Sequence, residues 1–193
     1  MFTRLSRNIT DKLEHNGTIS NTDRALYEYG LRQMFITLLN ILTMLLIGLA
    51  MRMTVPAIIY TLAYIPLRVY AGGYHALTPQ RCWAFSAVML FVVLWILKIA
   101  VKAFFYPLTA LSLIACICIV ILSPVEDCNK PLDKTEYKVY HFRAIFILAA
   151  EILVSAILWL LHQQNIAMVF ELVWCSLTLM LLLGKFKNLL RRV

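Results

Sequence analysis

PLTALSLIACICIVILS, residues 107–123, runs for seventeen residues without a charge. A helix through hydrocarbon needs about 20 predominantly apolar residues. A helix that is apolar on every side has no polar face to offer water. This stretch therefore calls for lipid as its solvent. Working outward from it, the chain repeats the pattern at approximately 35–51, 53–67, 83–104, 144–161 and 166–183. With 62% hydrophobic and only 15% charged residues, and a mean hydropathy of +0.79, a water-soluble globule is excluded. The expectation is an all-α, polytopic integral membrane protein, one domain over residues 1–193, with about six transmembrane helices. The first two stretches are short and joined only around Arg52, so they read either as two tilted spans or as one re-entrant hairpin.

Residues 1–34 are polar and charged where a signal peptide would carry its apolar region, so no cleavable signal is expected. Phe2, Leu5, Ile9 and Leu13 recur every three or four residues, which predicts a short amphipathic helix on the membrane surface. Asn16-Gly17 breaks it. Ser20-Asn21-Thr22-Asp23 then offers N-cap chemistry for a second helix running through Arg32 into the first span.

The formal charge is +8, and in a membrane protein this excess reports topology rather than nucleic-acid binding, so no nucleic-acid partner is expected. Alternate connections divide Lys and Arg fifteen to two. The rich set comprises the N-terminal region, loops 68–82 and 124–143 and the tail 184–193; the poor set holds Arg52 and Lys102. The positive-inside rule places both ends and both basic loops in the cytoplasm, against anionic lipid. The five cysteines form no framework spacing, and disulfides are not required.

Chemistry concentrates in loop 68–82, RVYAGGYHALTPQRC, where a histidine and a cysteine share a polar segment. His75 and Cys82 are seven residues apart, two turns or about 10 Å on a continuous helix, too far for a hydrogen bond. Gly72-Gly73 and Thr78-Pro79 argue for a bent segment that lets the two meet. An imidazolium stabilises a neighbouring thiolate and can later protonate a leaving group. Arg68 and Arg81 would add positive potential. Cys82 precedes Trp83 and so falls where a helix begins, with the macrodipole favouring an anion. The residues alone also allow, and by spacing favour, a packed interhelical loop with an interfacial histidine and a membrane-edge cysteine. In loop 124–143, Glu126 or Asp127 could orient His75 or bind a basic stretch of substrate, or simply be solvated. His75 and Cys82 supply only two ligands, so neither a metal nor a cofactor is expected.

Arg68-x-x-Ala71-Gly72-Gly73-x-His75-Ala76 followed by Cys82, and then Ser123-Pro124-x-Glu126-x-x-Asn129-Lys130-Pro131-Leu132, resembles the signature of the accessory gene regulator protein B family. The resemblance extends over nearly the whole chain in length, hydropathy and order of motifs. It implies a bacterial plasma-membrane cysteine endopeptidase that processes the precursor of a cyclic quorum-sensing peptide. His75 and Cys82 carry over as its catalytic pair, and Arg68, Gly72 and Gly73 as motif members. It also implies an amphipathic propeptide as partner and an acyl-enzyme on Cys82 that an internal Cys or Ser resolves into a thiolactone or lactone; a homodimer is compatible with it.

Two other readings stay open. A peptide exporter or other transporter would use the intramembrane ionisable residues Lys98, Glu151 and Glu171, since such groups are costly unless paired or lining a polar path. A non-catalytic membrane partner of a signalling kinase would need neither set. Cys116, Cys118 and Cys175 read as small packing residues.

Overall fold

A computed structural model describes residues 2–74, 78–99, 105–126 and 132–190. They form seven helices: α1 (Thr3–His15), α2 (Arg24–Ala50), α3 (Thr54–Ala71), α4 (Pro79–Ile99), α5 (Phe105–Leu122), α6 (Lys134–Leu160) and α7 (Gln164–Leu190). Six of them, α2 to α7, are long and apolar enough to cross a membrane. The chain divides into two units, Met1–Thr43 and Met44–Val193.

In the first unit, α1 folds back along the start of α2. Arg24 bonds Asp11 at 2.5 Å and Glu14 at 3.2 Å, and the rings of Phe2 and Phe35 stack 5.6 Å apart. The helix is amphipathic as expected. Its fully buried positions, however, are Ser6 and Thr10, whereas Leu5 is exposed. Small side chains four apart admit a close neighbour, and Thr10 spends its hydroxyl on the Ser6 carbonyl at 2.9 Å.

The second unit is built around α7. More than half of its apolar core is buried in the protein, against a third or less for any other span. Apolarity cannot select the central helix, because lipid is as apolar as leucine; small residues and interhelical hydrogen bonds do. α7 supplies both. Ala167, Ser176 and Gly184 lie on buried faces, and Thr178 donates to the Ala115 carbonyl of α5 at 3.1 Å. Two reciprocal pairs lock α7 to α6. Trp174 of α7 donates its indole N–H to Glu151 of α6 at 2.8 Å, and Trp159 of α6 donates to Glu171 of α7 at 2.9 Å. Thr109 of α5 adds a second donor to Glu171, also at 2.9 Å.

The first two apolar stretches are two helices, of 27 and 18 residues. Eighteen residues span about 27 Å, close to a hydrocarbon core of about 30 Å. Their turn closes when Met53 N–H reaches the Gly48 carbonyl at 2.8 Å around Arg52, whose φ is 58°. The α6–α7 turn repeats this device at His162, φ 57°, with Gln163 N–H on the Leu158 carbonyl at 2.8 Å. Both match the Schellman pattern of a left-handed residue after the last turn.

The second basic loop is shorter than the 124–143 expected from hydropathy. Asp133 accepts from the N–H groups of Thr135 and Glu136, and Glu136 reaches back to the Asp133 N–H, so a capping box starts α6 at Lys134. Lys134, Lys138 and Arg143 are thus helical. Likewise most of the tail 184–193 continues α7 as far as Leu190.

Candidate functional site

The segment containing the predicted site is half helix. α3 extends through Arg68 to Ala71, and α4 begins at Pro79. The turn between them depends on glycine. Gly72 (φ 72°) and Gly73 (φ 112°) occupy backbone regions that side chains rarely adopt. A Cβ on Gly73 would stand 2.9 Å from the Met180 carbonyl oxygen, and one on Gly72 would drive into the Val125 carbonyl.

Main-chain hydrogen bonds fix this turn on two sides. Val125 N–H donates to the Ala71 carbonyl at 2.9 Å, and Gly73 N–H returns to the Val125 carbonyl at 3.1 Å. Tyr74 N–H then reaches the Met180 carbonyl of α7 at 2.8 Å. The two sequence motifs, one around Gly72-Gly73 and one around Ser123-Pro124, are therefore bonded to each other. Further along the second motif, the Ser123 carbonyl accepts from His141 Nδ1 at 2.8 Å, and the Glu126 carbonyl accepts from Asn188 at 2.7 Å.

Arg68 is a clamp. Its two terminal nitrogens donate to the carbonyls of Gly72 and Tyr74. The planar fork of a guanidinium can hold two acceptors in fixed geometry. The sequence reading gave Arg68 the task of supplying charge, and the structure adds the shaping of the turn. The ring of Tyr74 lies between α4 and α7, 6.0 Å from that of Phe85 and under the Lys187 ammonium at 5.4 Å.

Cys82 is a half-buried free thiol in the first turn of α4. Thr78 and Pro79 set that start. The Thr78 hydroxyl accepts from Arg81 N–H at 3.3 Å, its carbonyl accepts from Cys82 N–H at 3.1 Å, and proline suits the first helical position. A thiolate there would meet the positive end of the helix dipole. The Arg81 side chain is exposed, as is Glu126, whose carboxylate makes no hydrogen bond or ion pair among the described residues. His75 lies outside the described residues, as do Asp127 and Cys128.

The intramembrane groups of the transporter reading divide between the surface and the interior. Lys98 is exposed in the last turn of α4, while Glu151 and Glu171 are buried and engaged by tryptophans. Residue types missed the contributions of Met180, Val125 and Gly184, which act through their main chains; a Cβ on Gly184 would lie 2.7 Å from both Gly73 C and Tyr74 N.

Six bilayer-length apolar helices and the α-helical bundle around α7 define a multi-pass membrane protein. The chain belongs to the Accessory gene regulator B family, whose sequence model matches residues 6–182. It is similar to "Putative AgrB-like protein 2" of Clostridium perfringens (strain 13 / Type A), 22% identical over 93% of this chain and 91% of that one. It is also similar to "Putative AgrB-like protein" of Clostridium perfringens (strain SM101 / Type A), 27% identical over 72% of this chain and 67% of the relative. No solved structure matches it. Membership supports a role in accessory gene regulation and quorum-sensing peptide processing.

Proposed function

We propose that the protein is a membrane cysteine endopeptidase that cleaves an amphipathic autoinducing-peptide precursor on the C-terminal side of its signal sequence. The observation that carries this reading is Cys82, a half-buried thiol at a capped helix start, nine residues after a glycine turn clamped by Arg68. In the reaction, His75 takes the thiol proton. Cys82 Sγ attacks the scissile carbonyl, the C–N bond breaks, and the imidazolium protonates the departing amine. The N-terminal product remains as a thioester on Cys82. An internal thiol or hydroxyl of that peptide then displaces Cys82 and closes the ring, provided that water is excluded.

Six crossings, an even number, would leave both ends of the chain on one side, and the fifteen to two division of basic residues supports the cytoplasm as that side. The cut then takes place at the inner leaflet. An amphipathic precursor adsorbed there is confined to two dimensions, which raises its effective concentration, while anionic lipid and the exposed side chains of Arg81 and Lys134 hold it. The test is cleavage of such a precursor by purified protein in liposomes without a gradient. Cys82→Ser should abolish it, and joint replacement of Cys116, Cys118, Cys128 and Cys175 by Ala should preserve it. Cleavage that survives Cys82→Ser, or that requires a gradient, would overturn the reading.

A further inference from the structure

Residues 123–126 hold the glycine turn through main-chain atoms, and those atoms need an anchor of their own. Val125 accepts from Gly73 N–H and gives its own N–H to the Ala71 carbonyl. The residue before it is Pro124, which has no N–H to offer. The peptide that joins Ser123 to Pro124 can therefore be gripped only at the Ser123 carbonyl. Ser123 is fully buried, and its hydroxyl has no hydrogen-bond partner among the described residues. Burial keeps water from replacing a donor lost there.

The donor is His141 of α6, its Nδ1 2.8 Å from that carbonyl. A carbonyl oxygen only accepts, so Nδ1 carries a proton in this contact. His141 is half-buried, and its ring stacks on that of Tyr137, one turn earlier, at 6.4 Å and 13°. The same stretch of α6 also grips the other side of the turn. Tyr140 sets its ring edge-on to that of Tyr70 of α3 at 5.6 Å, and Arg143 donates to the Tyr70 hydroxyl at 3.3 Å. Tyr70 stands two residues before Gly72. The start of α6 thus touches both segments that meet at the Gly72–Val125 bridge.

We propose that His141 is a positioning residue for cleavage: by donating Nδ1–H to the Ser123 carbonyl it holds residues 123–126, and through them the glycine turn, in the register that the reaction uses. The inference rests on the peptidase reading and adds a residue to it. In this role His141 needs no contact with the substrate or the reacting atoms. Its effect passes from the Ser123 carbonyl to Val125, from Val125 to Gly73, and along the chain to Tyr74. The Tyr74 ring lies 6.0 Å from that of Phe85, one turn beyond Cys82 on α4. His75 follows Tyr74 directly in sequence, so the histidine of the proposed reaction is joined covalently to the end of the same turn.

Leucine and asparagine have nearly the same shape, and only asparagine can donate, from an amide nitrogen placed as Nδ1 is in histidine. A displacement of up to about 1 Å at the reacting centre sets the scale: His141→Leu should lower kcat about 10- to 100-fold with KM little changed, and His141→Asn should restore kcat to within about threefold of wild type. His141→Ala, the mildest removal of the donor, should behave as His141→Leu does and replaces it if leucine disturbs insertion. Val139→Ala, at an exposed position of the same helix, should change nothing. Initial rates are measured on the full chain in liposomes, per inserted molecule, with Cys82→Ser as reference. A merely structural histidine predicts lower melting temperatures for the leucine and alanine variants with wild-type kcat below the transition. That result, with Cys82→Ser inactive, would overturn the role of His141 and leave the peptidase reading standing. An asparagine variant as slow as the leucine one would overturn it too, because a donor to Ser123 would then not suffice. An active Cys82→Ser would remove the peptidase reading itself.

Discussion

Adding a single methyl group to α7 tests whether that helix sets the geometry of the turn. Gly184 is buried against the turn, and an alanine Cβ there would sit 2.7 Å from Gly73 C, 2.7 Å from Tyr74 N and 3.0 Å from Gly73 Cα. Ordinary carbon contacts begin near 3.5 Å, so the turn must retreat by several tenths of an ångström. These are main-chain atoms, which cannot rotate away. Inserting a methyl group into a packed site costs about 1–3 kcal/mol, and loosening the 2.8 Å bond from Tyr74 N–H to Met180 costs about 1 kcal/mol more. Alanine returns about 0.5–1 kcal/mol of helix propensity, which is too little to cancel these. The larger effect is on rate, because a misplacement of about 1 Å at a reacting centre costs on the order of 10²-fold. Gly184→Ala should therefore insert and stay helical while its initial cleavage rate in liposomes falls about 10- to 100-fold. Gly30→Ala is the matched control: a Cβ on Gly30 meets nothing within 4 Å, so its rate should not change. Wild-type cleavage by Gly184→Ala would refute the claim that α7 positions the turn.

Arg68→Lys keeps the charge but cannot bridge Gly72 and Tyr74 with a planar fork, so its cleavage rate should fall well below that of Arg81→Lys; equal rates would mean that Arg68 acts through charge alone. Trp174→Phe removes the donor to Glu151 and should cost about 1–3 kcal/mol in thermal unfolding of the detergent-solubilised protein. Its kcat below the transition should stay near wild type, because the pair belongs to the α6–α7 interface, and a large kcat loss with an unchanged melting profile would show that the pair serves cleavage rather than stability.

Helix number and the helix start at Cys82 were readable from the chain because they rest on local rules. Seventeen uncharged residues at 107–123 must lie in lipid, and Cys82 directly precedes the apolar run that opens at Trp83, although the helix itself starts three residues earlier, at Pro79. The start of α6 was misplaced for a physical reason: hydropathy reports where lipid begins, whereas Asp133 and Glu136 show where the helix begins, some ten residues earlier. The centrality of α7 was hidden because all the spans are similarly apolar and the choice among them lies in paired polar atoms such as Glu151 with Trp174. The clamp was hidden as well. Arg68 was legible as a charge in the same loop as Cys82, but its acceptors are carbonyls, which every residue possesses, so no residue type announces them.

The turn at Gly72-Gly73 is tied down by the carbonyls and amides of Ala71, Val125 and Met180 rather than by their side chains. Such atoms are common to every amino acid other than proline at its nitrogen. The address of this segment is thus written in a script that substitution largely cannot edit. Val125 and Met180 can change identity at little cost provided that volume is kept. The letters that cannot change are the few that must be missing a side chain, Gly72, Gly73 and Gly184, or must fork, Arg68. A chain organised this way can wander far in composition while its working end stays in register, and most of its residues are then free to answer to the particular lipid and the particular peptide that each cell presents.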